Sequence, residues 1–268
     1  MFIRPMSYPH LSTCHSMSEA LPVLYRDEHL IAVNKPSGLL VHRSAIDRHE
    51  TRFALQIVRD QIGQMVYPVH RLDKPTSGVL VFALSSGCAK QLGEMIAARQ
   101  MQKHYLAVVR GYAPEHGSID HPLTEEQDSC TDKKARKGKP AQEALTHFKR
   151  LACVELPYQV DRYPQTRYSL VSCQPVTGRK HQIRRHLKHI NHPIIGDAKH
   201  GKGNHNRFFQ TQFQAHRLLL AATDIHLPHP VTAQPLHICA PLDHTFRQLL
   251  ERFSWCSAVP AAWLEQRL

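Results

Sequence analysis

The chain has 268 residues, with 34 lysines and arginines against 22 acidic residues, and a net charge of +12 at pH 7. Its pI near 9.5 is typical of proteins that bind a polyanion such as nucleic acid. The sequence contains no apolar stretch close to the roughly 20 residues that span a bilayer, no recognisable signal peptide and no CxxC pair among its seven cysteines. We therefore expect a cytoplasmic protein with reduced thiols, and exclude a membrane protein, a disulfide scaffold and a zinc ribbon.

The first half of the chain alternates short strands with helices. Apolar runs predict strands, apolar residues at a spacing of three and four predict helices, and Gly63 and Ser85 mark a helix end and a helix start. The predicted elements are, in order, strands at 23–25 and 30–33, a helix at 51–62, a strand at 79–84, a helix after Ser85 and a strand at 103–109.

The second half is predicted to contain longer strands and two amphipathic helices. Residues 128–140 are rich in lysine and almost free of apolar residues. This composition indicates a flexible exposed loop or, alternatively, an arm that orders on binding RNA. The predicted elements that follow are strands at 145–155 and 167–174, a turn at 175–178, a basic helix, strands at about 216–227 and 235–240, and a helix at 242–253.

The excess of strands over helices, joined by short turns, favours an α+β fold in a single domain. We predict a central, mostly antiparallel mixed sheet flanked by helices and loops, formed by residues 21–256. Residues 1–20 are expected to be a poorly ordered extension, and residues 257–268 a C-terminal tail.

A candidate catalytic carboxylate lies in the segment at 70–78, which reads His-Arg-Leu-Asp-Lys-Pro-Thr-Ser-Gly. Asp73 is flanked by two cations and precedes a turn, and an apolar strand follows directly. A carboxylate held on a rigid turn beside a core strand is partly desolvated, which suits a nucleophile. A turn aspartate on its own more often caps a helix or forms a surface ion pair, so its interpretation depends on its partners.

Two further segments offer such partners. Tyr105 lies in an apolar strand, where its ring could stack on a base for about 1–3 kcal/mol or serve as an ordinary core residue. In the basic helix Ile183 and Leu187 are predicted to face the sheet, and Arg184 at the edge of that face can reach a buried carboxylate. The remaining cations of the helix are available for phosphates, if the helix is not simply a solvated basic one; they are Arg179, Lys180, Arg185 and Lys188.

We predict no metal site and no cofactor. Several of the 21 histidines lie between residues 181 and 205, but they form no HExxH motif and have no acidic residue or cysteine at metal-ligand spacing. Phosphate contact or ordinary packing is the preferred interpretation of these histidines. The chain also contains no P-loop and no GxGxxG motif.

Taken together, these segments resemble the RluA family of pseudouridine synthases, over roughly residues 22–240. Motifs in this order and at this spacing are highly specific, and they imply a pseudouridine-synthase-like catalytic domain that needs no cofactor. The motifs are NKPSGLLVH at 34–42, HRLDKPTSG at 70–78, KHYLAVVRG at 103–111, TGRKHQIRRH at 177–186 and HPIIGD at 192–197.

The resemblance also implies roles for individual residues. It makes Asp73 the nucleophile, Tyr105 the residue that stacks on the target base and acts as general base, and Arg184 the ion-pair partner of Asp73. Arg71 corresponds to the arginine that moves into the RNA stack as the uridine flips out. The other expected RNA contacts are His70, Arg179, Lys180, His181, Arg185 and Lys188.

The resemblance further implies tRNA as the substrate, with uridine 65 as the target. Only about twenty residues precede the first motif, so we expect no S4 RNA-binding domain, in agreement with the tRNA-directed branch of the family. A monomer is expected.

Three alternatives stay open: a ribosomal RNA pseudouridine synthase with the same motifs, a non-catalytic RNA-binding protein, and, more weakly, a metal-dependent nuclease.

Overall fold

The structure, a computed structural model, describes residues 20–43, 50–125 and 140–265. Two predictions therefore lie outside the described residues: almost all of the N-terminal extension at 1–20, and the lysine-rich loop at 128–140. Within the described ranges no helix is both long and apolar enough to cross a membrane.

Ten strands and five α-helices make up the described part of the chain. In chain order they are β1 (Val23–Arg26), β2 (Leu30–Lys35), α1 (Ala54–Ile62), β3 (Tyr67–Pro68), β4 (Ser77–Ala83), α2 (Ser86–Ala97), β5 (Gln102–Arg110), β6 (His116–Asp120), β7 (Leu145–Leu156), β8 (Thr166–Pro175), α3 (Gln182–His189), α4 (Gly203–Phe213), β9 (Leu220–Pro228), β10 (Pro235–Cys239) and α5 (His244–Arg252).

All ten strands belong to one sheet. Its order is β1-β2-β4-β9-β5-β8-β7-β6, with β10 paired to β9 and β3 paired to β4. Strands β4 and β9 run parallel, and the other strand pairs among the described residues are antiparallel. The predicted α+β fold with a mostly antiparallel mixed sheet is confirmed.

The parallel pairing of β4 with β9 in the middle of the sheet depends on Gly78, the last residue of the HRLDKPTSG motif. Gly78 pairs with Ala222 and has a φ of 113°, in the region that favours glycine. A Cβ atom at this position would collide with the backbone carbonyl of Ala222. The motif therefore ends where two strands approach closely, which holds the loop before it against the centre of the sheet.

Buried apolar side chains pack on the sheet in separate clusters. One cluster lies beneath the loop that carries Asp73 and includes Leu72, Phe82 and Leu187. Another joins β8 to α4, α5 and the C-terminal residues, and includes Phe209 and Trp255. The loop is thus supported by core residues, as a rigid site requires.

Most predicted elements are present with boundaries shifted by a few residues, and β3, β6 and α4 are present in addition to them. Strand β6 lies in a stretch that was not assigned a strand, because its alternation is too short to be distinguished from a turn-rich loop. Helix α4 was not predicted, since residues 203–213 contain glycine, asparagine and threonine, which favour helices weakly. Tertiary packing of Phe209, which is fully buried, compensates for that.

The predicted C-terminal boundary at residue 256 is too early. Val259 and Trp263 are buried in the same cluster as Trp255, and the backbone N–H of Leu242 donates to the carbonyl of Trp263 at 2.8 Å. The residues around Val259 and Trp263 are therefore part of the packed domain and not a tail. This packing is difficult to predict, because short 3₁₀ turns carry no clear periodicity.

Candidate active site

The loop that carries Asp73 is held by the NKPSG segment through a buried lysine. Lys35 is fully buried, and its Nζ donates to the carbonyl oxygens of Pro36 at 2.9 Å, Leu39 at 2.7 Å and Lys74 at 3.2 Å. The Lys74 carbonyl also accepts from the N–H of Gly38 at 2.8 Å. The first and second motifs are therefore one structural unit around Asp73.

Arg184 connects two carboxylates at the floor of the site. Its Nη1 donates to Asp73 Oδ2 at 2.9 Å, while Nε and Nη2 donate to Asp197 Oδ2 and Oδ1 at 2.7 and 2.8 Å. Its side chain is only 6% exposed, whereas that of Asp73 is 28% exposed. The buried bidentate pair with Asp197 fixes the guanidinium plane, and the plane in turn orients the one carboxylate that solvent or a ligand can reach.

Asp197 is itself held by the backbone. Its Oδ1 accepts the N–H groups of Lys199 at 3.0 Å and His200 at 2.9 Å. Hydrogen bonds from Arg184 and its positive charge, together with these N–H groups, outweigh the effect of burial and lower the pKa of Asp197. Asp197 is therefore ionised at neutral pH and serves as the counter-charge of Arg184.

Helix α3, which carries Arg184, is anchored at its start by Gln182. The Gln182 Oε1 accepts from the Thr177 hydroxyl at 2.7 Å and from the Arg179 N–H at 2.9 Å. Its Nε2 donates to the Leu145 carbonyl and to the Thr146 hydroxyl, both at 3.0 Å. All the polar groups of this buried amide are satisfied, so the position of the helix relative to β7 is determined.

His181 lies next to the carboxylate of Asp73, and His200 lies next to His181. His181 Nε2 is 3.9 Å from Asp73 Oδ2, and His181 Nδ1 is 3.2 Å from His200 Nε2. His181 has a left-handed backbone, with φ of 56°, immediately before α3. This conformation turns the imidazole towards the Asp73 side of the helix start.

Tyr105 lies on β5 and lines the same cavity as Asp73. Its side chain is 9% exposed. Burial, and secondarily the negative charge of Asp73, raise the pKa of the Tyr105 phenol well above its usual range. The phenol is thus protonated at neutral pH and can take up a proton only if it passes its own proton on.

The cavity that contains these residues has a volume of about 650 Å³. Asp73 and Glu125 are the acidic side chains among its described lining residues. Such an excess of positive charge suits a phosphate backbone. The cationic side chains that line it are Arg71, Lys103, Arg179, Lys180, Arg184 and Arg185.

The structure brings together most of the residues singled out from the sequence. Asp73, Tyr105 and Arg184 line the cavity, as do the predicted RNA contacts Arg71, Arg179, Lys180, His181 and Arg185. Two of these also bond to loop carbonyls: Arg179 Nε to Glu143 at 3.0 Å and Arg185 Nη1 to Thr124 at 2.9 Å. Lys188 is exposed on α3 and is not among the lining residues.

His70 is also among the residues that line the cavity, although it is only 9% exposed. Its ring is buried, and its Nε2 accepts the N–H of Val81 at 3.1 Å. Its Nδ1 is also buried, without a protein partner. Burial lowers the pKa of His70 to about 3, so the ring is neutral and supports the strand. The sequence could not reveal this, because neighbours in a charged motif need not point the same way.

Sequence reasoning missed three residues that matter for this geometry. Asp197 stands in the HPIIGD motif but was given no role, since its partner Arg184 is distant enough along the chain to hide the pairing. Lys35 stands in the NKPSG motif, where a lysine is normally read as exposed. Lys103, two residues before Tyr105 on β5, lines the cavity, and the alternation of the strand was the signal for it.

The sheet, the basic cavity and the ion-paired carboxylate are features that suit an enzyme acting on nucleic acid. A family model described as RNA pseudouridylate synthase matches residues 29–189, and the chain belongs to this family, whose members are isomerases acting on RNA. The matched range includes Asp73, Tyr105 and Arg184.

Curated relatives cover nearly the whole chain. The chain is 52% identical over 242 residues to the tRNA pseudouridine synthase C of Vibrio vulnificus, covering 90% of this chain and 99% of that one. It is 53% identical over 235 residues to the protein of the same name from Pasteurella multocida, covering 88% and 97%.

Solved structures agree on the fold. Human RNA pseudouridylate synthase domain containing 4 superposes with a TM-score of 0.66 at 28% identity, covering 87% of this chain and 93% of that one. The human domain containing 1 protein gives a TM-score of 0.64 at 23% identity, covering 86% of each chain, which bears on the fold alone.

Proposed function

We propose that the protein is a tRNA pseudouridine synthase that isomerises uridine 65, with Asp73 as the nucleophile. The main observation that supports this proposal is the ion pair between Asp73 and Arg184, with an N–O distance of 2.9 Å, at the floor of a basic cavity. The names of the relatives that match almost the full chain support tRNA as the substrate. A monomer is part of the proposal, and tRNA as substrate favours the cytoplasm.

The isomerisation exchanges one bond for another without net redox change. The C1′–N1 glycosidic bond breaks, the uracil rotates, and a C1′–C5 bond forms. The proton on C5 is lost, and N1 gains a proton. Asp73 can form an ester bond to C1′ as the C1′–N1 bond breaks, and is displaced when the C1′–C5 bond forms. Alternatively, it can remove the proton at C2′ to give a glycal and return that proton when C1′ bonds to C5. Its orientation by Arg184 suits either route.

The cavity supplies the other requirements of a base-flipping enzyme. Removing a nucleotide from its stack costs a few kcal/mol, and stacking on the Tyr105 ring offsets part of that cost. Arg71 is exposed at the cavity, where it can take the place of the flipped base. The protonated phenol of Tyr105 is in a position to exchange a proton with the uracil during the rearrangement.

The test is tritium release from tRNA transcripts labelled at C5 of uridine, with EDTA present. We expect release by the wild-type protein and none by Asp73→Ala. Asp120→Ala is the matched control, since Asp120 is exposed on β6 and outside the cavity, and it should retain wild-type release. A transcript with cytidine at position 65 should release no tritium.

The possible failures point to different alternatives. Release from the cytidine-65 transcript would move the target to another uridine. Release from ribosomal RNA but not from tRNA would overturn the proposed substrate. RNA binding by wild type and Asp73→Ala without release from either RNA would identify a non-catalytic binding protein.

A further inference from the structure

A cluster of histidines lies on strands β5, β9 and β10, apart from the cavity. In β9, Asp224 and His226 are two residues apart and so project from the same face. Their cross-strand partners in the register are His104 on β5, opposite Asp224, and His237 on β10, opposite His226. All four side chains therefore share one face, and none of them lines the cavity.

Three of the four converge closely. The ligand atoms of Asp224, His226 and His237 all lie within 4.8 Å of one another. His237 Nε2 is 2.7 Å from Asp224 Oδ1, and the rings of His226 and His237 are stacked with centroids 4.1 Å apart. The ring of His104 approaches His226 edge-on, with centroids 5.5 Å apart.

The cluster combines a fixed base with access from solvent. The Asp224 side chain is 9% exposed, whereas that of His237 is 52% exposed. On the opposite face of these strands Ile225, Leu227 and Ile238 are buried in the core. The backbone beneath the cluster is thus rigid, and an ion can approach from the His237 side.

The cluster offers the ligand types that such a site needs. A carboxylate beside imidazole nitrogens is a donor set that zinc, nickel and cobalt ions favour.

We propose that Asp224, His226 and His237 form a binding site for a divalent transition-metal ion of the Zn²⁺ type, with His104 as a neighbouring fourth donor. Zinc–nitrogen bonds of about 2.0–2.1 Å in a tetrahedral site bring the ligand atoms to about 3.4 Å from one another. The observed spread of up to 4.8 Å closes to that distance by side-chain rotation.

Binding at this site would connect β9 to β10, which has β9 as its partner in the sheet. A ligand that binds only the folded chain stabilises it by mass action, so the metal would act as a staple and would have no part in the isomerisation. The ligands follow an Asp-x-His spacing on one strand, with a third ligand on the next strand. A helical motif such as HExxH has a different spacing, so the two patterns do not resemble each other in the sequence.

The experiment uses the full chain without a histidine tag, treated with EDTA and titrated with Zn²⁺ by calorimetry and with Co²⁺ by absorption. The test variant is His226→Ala/His237→Ala. The control is His121→Ala/His189→Ala, which removes another stacked imidazole pair, with centroids 3.8 Å apart, elsewhere in the fold. Both variants lose two imidazoles, so unspecific binding falls equally in both.

We expect one site in the wild type and in the control, accompanied by a rise in melting temperature with Zn²⁺. Loss of an outer-shell partner alone costs about 10- to 100-fold in metal affinity, so loss of two ligands should weaken binding by at least as much. Equal affinity in the two double variants would overturn the proposal. The absence of a distinct site in the wild type would reduce the cluster to a hydrogen-bonded surface group.

A second measurement on the unmodified chain guards against a variant that does not fold. Diethyl pyrocarbonate labels accessible imidazoles, and mass spectrometry locates the label. Zn²⁺ should protect His226 and His237 selectively, with His121 and His189 labelled as before. Unchanged labelling of His226 and His237 would overturn the proposal, and neither result depends on pseudouridine synthase activity.

Discussion

The floor of the cavity and the aromatic cluster behind it are both buried, but different forces hold them. At the cavity floor Arg184 joins Asp73 and Asp197 through directional hydrogen bonds of 2.7–2.9 Å. Gln182 fixes the start of the same helix through hydrogen bonds of 2.7–3.0 Å to other residues. The aromatic cluster consists of Phe209, Phe213, Phe253 and Trp255, whose neighbouring rings lie with centroids 4.9–5.1 Å apart.

The polar region serves the reaction, and the aromatic region serves the stability of the fold. A polar floor orients groups to a fraction of an ångström, but loss of one partner leaves a buried charge or donor without compensation. An aromatic cluster stabilises the fold through buried area and ring contacts that have little directional demand. Substitutions in the two regions should therefore affect different measurements, and four of them test this.

Arg184→Met should have the largest effect. Loss of a preorganised electrostatic partner typically costs about 100- to 1000-fold in turnover, and here the carboxylate of Asp197 is also left buried and unpaired. We expect turnover in the tritium assay to fall by at least about a thousandfold, with the affinity for tRNA changed far less. Arg185→Met, on the same cavity, should instead weaken tRNA binding more than turnover. Equal losses in turnover and affinity for Arg184→Met would make Arg184 a phosphate contact.

Phe209→Ala should cost stability and leave chemistry intact. Phe209 is fully buried, and such truncations cost about 3–5 kcal/mol in the free energy of unfolding. Urea denaturation measures that loss, while turnover per folded molecule at low temperature should stay at the wild-type value. Phe208→Ala, at a half-buried neighbouring position, should cost less. A large fall in turnover for Phe209→Ala would show that the two regions are coupled.

Asp197→Asn should reduce turnover by positioning alone. The amide keeps an oxygen for the N–H groups of residues 199 and 200 but loses the charge that fixes Arg184. A displacement of about 1 Å near a reacting group can cost about 100-fold, so we expect a fall of that order in kcat with little change in KM. The melting temperature serves as the control. An unchanged kcat would mean that Asp73 is oriented without Asp197.

The smallest effect concerns acid stability and His70. Its pKa is about 3 in the folded chain against a usual value of 6.5, so between these values the unfolded chain binds a proton that the folded chain does not. The contribution of His70 to the free energy of unfolding is therefore fully present above pH 6.5 and is lost as the pH falls towards 3. It amounts to about 2 kcal/mol between pH 7 and pH 5.

His70→Gln provides the comparison for that prediction, because a glutamine oxygen can still accept the Val81 N–H and does not titrate. Urea denaturation at pH 7 and pH 5 should show a smaller loss of stability in the variant than in the wild type. The same pH dependence in both proteins would assign the acid sensitivity to other groups. Phe209→Ala, in the aromatic cluster, should shift both curves equally.

Local patterns in the chain were sufficient to predict most of the secondary structure and several of the residues that line the cavity. The apolar run of β4, the Ser85 cap of α2 and the Gly63 end of α1 depend on neighbouring residues, and all three are present. The HRLDKPTSG, KHYLAVVRG and TGRKHQIRRH motifs likewise identified Asp73, Tyr105 and Arg184 before any geometry was known.

Contacts between distant parts of the chain decided the rest. The buried pair of Arg184 with Asp197, the docking of Lys35 on the Asp73 loop and the burial of His70 each depend on which side chains share an interior, which no local pattern specifies. The packing of Val259 and Trp263 and the convergence of Asp224, His226 and His237 also depend on contacts between distant residues. Strand register and burial create these arrangements, because they place residues side by side that the sequence separates.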